Sequence, residues 1–268
     1  MEKRKLWEVL YTFGNSTNLK PNYIIMKKIL MLFLCAGFLW SCSSDDDNKD
    51  TPANDTSVLP LKIAYNDDGE TFDVQFSYNG NKVSTMNYSS DSPFGNAEAV
   101  FQYEGDKITK ITYNLAEGTI TKTYTYANNR IAGMKEVWEG YGTSEYTYDW
   151  IDDNHVKLNK IGSEYYTDFY LNNGNIVKIE DYFGGNVWNI NYSFDDKNSI
   201  FKNVEGFQYI IEEGDLYFNI NNITKDVTTA GDNTFMTNYS YEYNSKGFPT
   251  KQTEESEDEM STLVITYN

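Results

Sequence analysis

Very few side chains in this 268-residue chain can do chemistry. Cys42 ends the stretch Leu39-Trp40-Ser41-Cys42, directly after a run of apolar or small residues from Ile29 to Trp40. A thiol placed there can form a thioether with lipid. His155 is the only histidine, so a Ser-His-Asp triad would have to use it, and no G-x-S-x-G elbow accompanies it. It follows a turn, where it is expected to cap or pack. One imidazole and no thiol beyond Cys42 leave nothing for a His/Cys metal cluster. No metal or organic cofactor is expected.

Carboxylates are the other candidate chemistry. Paired acids roughly 5–9.5 Å apart hydrolyse glycosides, and Glu136, Glu139, Glu164 and Glu180 are nominal candidates. With so many acids, some pair falls in that range by chance. The Asp-rich turns Asn66-Asp67-Asp68-Gly69-Glu70 and Asp152-Asp153-Asn154 offer oxygen ligands of the kind Ca²⁺ takes. They lack a full binding loop, and turn chemistry accounts for them. Trp138, Trp150 and Trp188, with many tyrosines, are a candidate platform for stacking sugars. The alternative is that they fill the core of a sheet.

The segments that position Cys42 are those of an export signal. Lys27 and Lys28 form a basic start, and Ile29–Trp40 is an apolar core of the length such signals have. It is too short for a transmembrane helix, which needs about 20 apolar residues. Ser41 and Cys42 flank the expected cleavage. Residues 1–25 read as an N-terminal extension, with Met26 the expected start, and 26–41 as the signal peptide. Residues 42–59 are a polar, acidic tether, and 60–268 form a single domain. Leu39-Trp40-Ser41-Cys42 resembles the bacterial lipobox, in which the Cys thiol receives a diacylglyceryl group and the freed amine a further acyl chain. Each buried methylene contributes about 0.8 kcal/mol, so two or three chains anchor stably. Ser43-Ser44-Asp45-Asp46-Asp47 resembles the acidic signal that sends Bacteroidetes lipoproteins to the outer face of the outer membrane.

Residues 1–41 hold six of the chain's 22 basic side chains and two of its 40 acidic ones, leaving 16 against 38, a net charge of −22. Such a chain repels phosphate backbones, which argues against nucleic-acid partners. It also repels anionic membrane surfaces, so lipid must be the membrane contact. Cys35 lies in the signal core, so no disulfide framework is available after cleavage. Aromatics make up 16% of the chain, and Tyr, Phe, Trp, Thr, Ile and Val suit pleated, half-buried surfaces.

A period of about 23 residues runs through the domain. Each unit reads aromatic-x-aromatic, a turn rich in Asn, Asp and Gly, then an aliphatic residue. Its leading positions are 76, 101, 124, 146, 169, 192 and 241. A degenerate copy is expected at Leu216-Tyr217-Phe218, and another unit at Ile265-Thr266-Tyr267. Residues at i and i+2 of a strand share a face, so each unit is a hairpin presenting paired rings to one side. Hairpins must pair to bury them. The expected fold is all-β, a long antiparallel up-and-down meander of about 16–18 strands, curled or partly closed like a barrel. Residues 197–220 break the pattern and are expected to form a short helix or a capping loop.

The units resemble YD repeats of Rhs-type shell proteins, although the Asp-x-x-Gly-Arg turn is absent. The lipobox, the acidic tether and the stretches 172–182, 219–227 and 241–253 together resemble a Bacteroidetes lipoprotein family of unknown function with a porin-like β fold. That resemblance implies a curved, many-stranded meander and no activity. Membrane-crossing strands need about 9–11 residues and an apolar lipid-facing band. These strands read as shorter, with Lys107, Lys110, Lys178 and Glu180 pointing outward. The expectation is a domain in water, held by lipid at the outer membrane surface, that binds a glycan or an envelope protein. A carboxylate-based glycoside hydrolase and a purely structural envelope component are the alternatives.

Overall fold

The computed structural model describes residues 57–67, 70–90, 96–116, 118–212, 218–256 and 260–268. Ser41, Cys42, the signal and the tether up to residue 56 lie outside the described residues. The strands are β1 (Pro60–Asp67), β2 (Glu70–Asn79), β3 (Lys82–Ser90), β4 (Ala97–Glu104), β5 (Lys107–Leu115), β6 (Gly118–Ala127), β7 (Arg130–Trp138) and β8 (Gly142–Trp150). They continue as β9 (His155–Lys160), β10 (Tyr166–Asn172), β11 (Asn175–Phe183), β12 (Asn186–Phe194), β13 (Ile223–Ala230), β14 (Asn233–Tyr243), β15 (Pro249–Glu255) and β16 (Met260–Tyr267).

Each strand pairs antiparallel with the next, and β16 returns to β1 with Ile265 opposite Ile63. The meander is therefore a closed barrel of sixteen strands, which removes every sheet edge. The repeated unit explains the curvature. The register slips beside Tyr78, Tyr103, Tyr126, Leu171, Phe194 and Tyr243, in each case between the middle and last residues of the repeat's leading triplet. Each slip is a bulge that bends the strand and raises its twist. The turn beyond Tyr126 uses Asn128 at φ 50° and Asn129 at φ 64°. Two successive left-handed residues give the tight turn whose twist matches its strands.

Sixteen strands make a wide barrel, of the size that leaves a water channel in porins. Side chains from the wall alone cannot fill it. The residues between β12 and β13 supply the missing volume. Ile200, Phe201, Val204, Phe207, Ile210 and Ile211 are buried and pack against inner-face residues such as Phe76, Phe101 and Ile108. Its described residues include a 3-10 turn over Phe207–Tyr209, and Phe218 is also 3-10. The segment is thus an internal plug that includes a short 3-10 helix, rather than a cap laid over the rim.

Three further expectations are corrected. Phe218 belongs to the plug rather than to a hairpin, because β12 pairs directly with β13; Leu216 and Tyr217 lie outside the described residues. The folded unit starts before residue 60, since Val58 and Leu59 are buried, and the Leu59 amide donates to Asn268 Oδ1 while its carbonyl accepts from the Asn268 amide. The strands run from six to eleven residues, so length does not separate them from membrane-crossing strands.

The outer wall carries polar and charged side chains. β6 turns Thr119, Thr121, Thr123 and Thr125 outward. Ion pairs run across strands there, Lys62 to Asp73 at 2.7 Å and Lys135 to Glu145 at 2.6 Å. Lys110, Lys178 and Glu180 also lie on this face by register. A lipid-facing wall would carry an apolar band flanked by aromatic girdles. Among the described residues the wall mixes these polar groups with exposed Val137, Val187, Met236 and Val264. Among the described residues no helix is long and apolar enough to cross a membrane.

Candidate ligand cup

The alternation of a meander puts its turns at two ends. The turns after β2, β4, β6, β8, β10 and β14 lie at one end, together with both termini of the sheet and the plug. Polar contacts fix the plug to this end. Asn203 donates to the Val58 carbonyl at 3.1 Å, and the Glu205 amide donates to the Asn81 carbonyl at 2.9 Å. Tyr209 donates to Asp106 at 2.5 Å, a bond that, with Lys107, holds the Asp106 carboxyl below its usual range.

Deeper in, the plug presents a buried acid, Glu212. A buried carboxylate persists only when paired and hydrogen-bonded. Lys122 and Tyr124, both on the inner face of β6, supply the partners. Burial first, and the Glu212 charge second, push the Tyr124 phenol well up, which keeps it a donor. Tyr148 donates to the Ile211 carbonyl at 2.7 Å.

The other end carries the turns after β7, β9, β11 and β13. Inner-face residues there emerge from the core. Leu115, Phe183 and Phe235 are 43%, 45% and 44% exposed although their register points them inward. Trp138, Tyr165 and Trp188 stand beside them half-buried, with Tyr165 packed edge-on to Phe183. The barrel is thus stoppered at one end and aromatic-rimmed at the other.

Beneath the rim, on β13 to β16, the inner wall turns polar. Asp226, Thr228, Thr237, Tyr239, Gln252, Glu254 and Ser261 are all buried. Tyr239 donates to Asp226 at 2.7 Å, and Thr228 bonds the same carboxylate at 3.4 Å. Gln252 is different, since neither its Oε1 nor its Nε2 has a hydrogen-bond partner. An unsatisfied buried polar group costs about 1–3 kcal/mol. The inner face carries Glu136, Asp181, Asp226 and Glu254 against Lys160 and the plug-bound Lys122. Its field is negative.

The sequence-derived candidates distribute over this frame. Trp138 and Trp188 reach the rim. Trp150 lies at the plug end, where its indole donates to the Ile131 carbonyl at 3.0 Å and Arg130 covers its ring. The three tryptophans therefore do not form one platform. Glu136 is on the inner face of β7, Glu139 and Glu164 lie exposed in rim turns, and Glu180 is on the outer wall, so the four do not converge.

His155 sits on the outer wall, 2.7 Å from Asp168 and stacked on Tyr170 at 4.5 Å. Tyr166 is sandwiched between Tyr182 and the Lys157 ammonium. The ring faces there are already used. Asp152 accepts the Asn154 amide at 2.7 Å, and Asp153 pairs with Arg130, so this turn is held by turn chemistry. Among the described residues no cluster of three His, Cys, Asp or Glu side chains could hold a metal.

The polar inner wall has no signal in the sequence. Lys251-Gln252-Thr253-Glu254-Glu255 is polar on both faces of its strand, so alternation cannot mark the inward side.

These features define a stoppered, sixteen-stranded antiparallel barrel. No family model matches the chain, and no curated protein does. Solved structures do. A porin-like protein from Bacteroides uniformis ATCC 8492 is 14% identical with a TM-score of 0.41, covering 78% of this chain and 98% of its own. A porin-like protein from Bacteroides vulgatus ATCC 8482 is 11% identical with a TM-score of 0.45, covering 79% and 99%.

Proposed function

We propose that this protein is a lipid-anchored binding module of the cell envelope whose ligand enters the open end of the barrel. The observation that carries the reading is the asymmetry of the lumen. One end is filled by the plug, while inward-facing Leu115, Phe183 and Phe235 are exposed at the other. Mouths of β-barrels are a common place for ligand sites, and exposed apolar groups gathered in a concavity mark interaction surfaces.

The anchor fits the same geometry. The sheet starts at Pro60 at the plugged end, so a chain tethered through Cys42 turns its open mouth away from the membrane. The export signal and the acidic residues after Cys42 support the outer surface as its location.

The sheet uses no residue before Pro60, so a chain from residue 42 with Cys42→Ala keeps all sixteen strands and removes the anchor. It should bind the neutral aromatic probe N-phenyl-1-naphthylamine, with fluorescence enhancement lost in Phe235→Ala and Trp188→Ala. Enhancement untouched by both substitutions would sink the cup. The anchor is tested separately in the full-length chain, where Cys42→Ala should abolish fatty-acid labelling and membrane association.

A further inference from the structure

The open end of the barrel is apolar on its outside as well as its inside. Every hairpin at that end from β5 to β16 carries an exposed large apolar side chain, in order Leu115, Tyr141, Ile161, Phe183, Phe235 and Met260. At the plugged end, among the described residues, only Leu61 and Ile151 are so exposed. Val137, Val187 and Met236 are exposed too, and they face outward, since their ladder partners are Thr121, Tyr182 and Val227 on the outer wall. A ligand inside the lumen touches none of these three. The end is therefore a collar, with apolar groups on both sides of its lip. Exposed apolar groups gathered in this way mark an interaction surface.

Charge selects the partner. The connections at this end contain no Lys or Arg, whereas Glu139, Glu164 and Asp232 stand exposed in them. Lys160, at the edge of one connection, is half-buried with its ammonium over the Tyr146 ring. We propose that the collar docks a cationic amphipathic peptide segment, whose apolar side chains cover the lip and whose basic groups meet the acids of the turns. A second copy of this chain would set acid against acid, which costs binding energy. An anionic lipid surface is repelled for the same reason. A neutral apolar surface would desolvate the carboxylates with no counter-charge. The proposal goes beyond the cup, because it uses the outer lip, and the two can fail separately.

The test uses the chain from residue 42 with Cys42→Ala and fluorescein-labelled peptides read by anisotropy. The probe is an amphipathic model peptide of Leu and Lys, compared with oligolysine of equal charge and with an amphipathic peptide of Leu and Glu. The Leu and Lys peptide should bind at least tenfold more tightly than either, and more weakly as salt rises, because exposed charges are screened. Val187→Ser combined with Met236→Ser should weaken it at least tenfold. Both side chains are exposed and outward, so the melting temperature and N-phenyl-1-naphthylamine binding should not change. Glu139→Gln combined with Glu164→Gln should weaken the peptide severalfold. Equal affinity for oligolysine would overturn the collar, leaving only the charge of an acidic domain. So would unchanged affinity in the Val187 and Met236 double variant. Dimerisation, or flotation with phosphatidylcholine vesicles, abolished by that same double variant would give the face to a second copy or to lipid and overturn the peptide. Peptide binding without N-phenyl-1-naphthylamine binding removes the cup and keeps the collar; the reverse result keeps the cup and removes the collar.

Discussion

The phenol of Tyr126 donates to the backbone carbonyl of Ile108 at 2.6 Å, eighteen residues earlier on the adjacent strand. Ile108 precedes Thr109, the extra residue of a bulge, so the ladder does not serve its carbonyl. The same latch recurs from Tyr78 to Pro60, Tyr241 to Ile223 and Tyr267 to Pro249, each over eighteen residues. Trp150 performs it with an indole, to Ile131. The aromatic repeat thus has a second task beyond filling the lumen. The bulges that bend the sheet leave carbonyls orphaned, and the aromatics of the adjacent strands satisfy them.

Tyr126→Phe should therefore cost about 1–3 kcal/mol, the range for a buried acceptor left without its donor. Urea unfolding should show a lower midpoint with an unchanged slope. An unaltered midpoint would mean that water serves the Ile108 carbonyl equally well.

The hairpins are legible in the sequence because both of their signals are local. The i, i+2 aromatic pair and the Asn-Gly or Asn-Asn turn lie within one unit. Closure is not local. Nothing near Ile265 marks Ile63 as its partner, and the pairing follows from accumulated twist and bulging. The plug is half legible. The crowding of Phe201, Val204, Phe207 and Ile211 shows a break in the period, but its place inside the barrel depends on the lumen being too wide for wall side chains. Of the candidate site, Trp138 and Trp188 can be picked out as scarce aromatics, whereas the polar wall around Gln252 lies in an all-polar strand.

Gly206 tests the fit of the plug. Its φ is +99°, and a Cβ there would meet Tyr103 Cε1 at 2.8 Å and Ile108 Cγ1 at 2.9 Å. Gly206→Ala adds both a disfavoured backbone conformation and a collision with the wall. It should lower stability by about 1–3 kcal/mol and speed amide exchange in residues 199–212 more than in the strands. Equal protection in both regions would show that the plug tolerates displacement.

Glu212 and Lys122 test whether the plug's buried charge is compensated. Removing one member of a buried pair costs about 3–5 kcal/mol because the other charge remains. Glu212→Leu should be destabilising on that scale. Adding Lys122→Met should restore much of the loss, since apolar replacement of a whole buried pair is often neutral. If the double variant is no better than Glu212→Leu, the stability resides in the Tyr124 bond to Glu212 rather than in the ion pair.

Glu180 sets part of the acid limb of stability. On the outer wall it takes a bond from Lys178 at 2.6 Å and one from Tyr170 at 2.8 Å. The Lys178 bond foremost holds its carboxyl below the usual glutamate value. A carboxyl depressed by folding binds protons more readily in the unfolded chain, whose Glu titrates at about 4.3. Its stabilisation is therefore complete above that value and is lost as pH falls through the folded one. Glu180→Gln cannot take up a proton in either state. It should be less stable than wild type at pH 7, and the gap should narrow as pH drops below about 4. Melting temperatures measured from pH 7 down to 3 decide the matter. A gap that stays constant with pH would assign the contribution of Glu180 to packing against the Tyr170 and Tyr182 rings instead of to its charge.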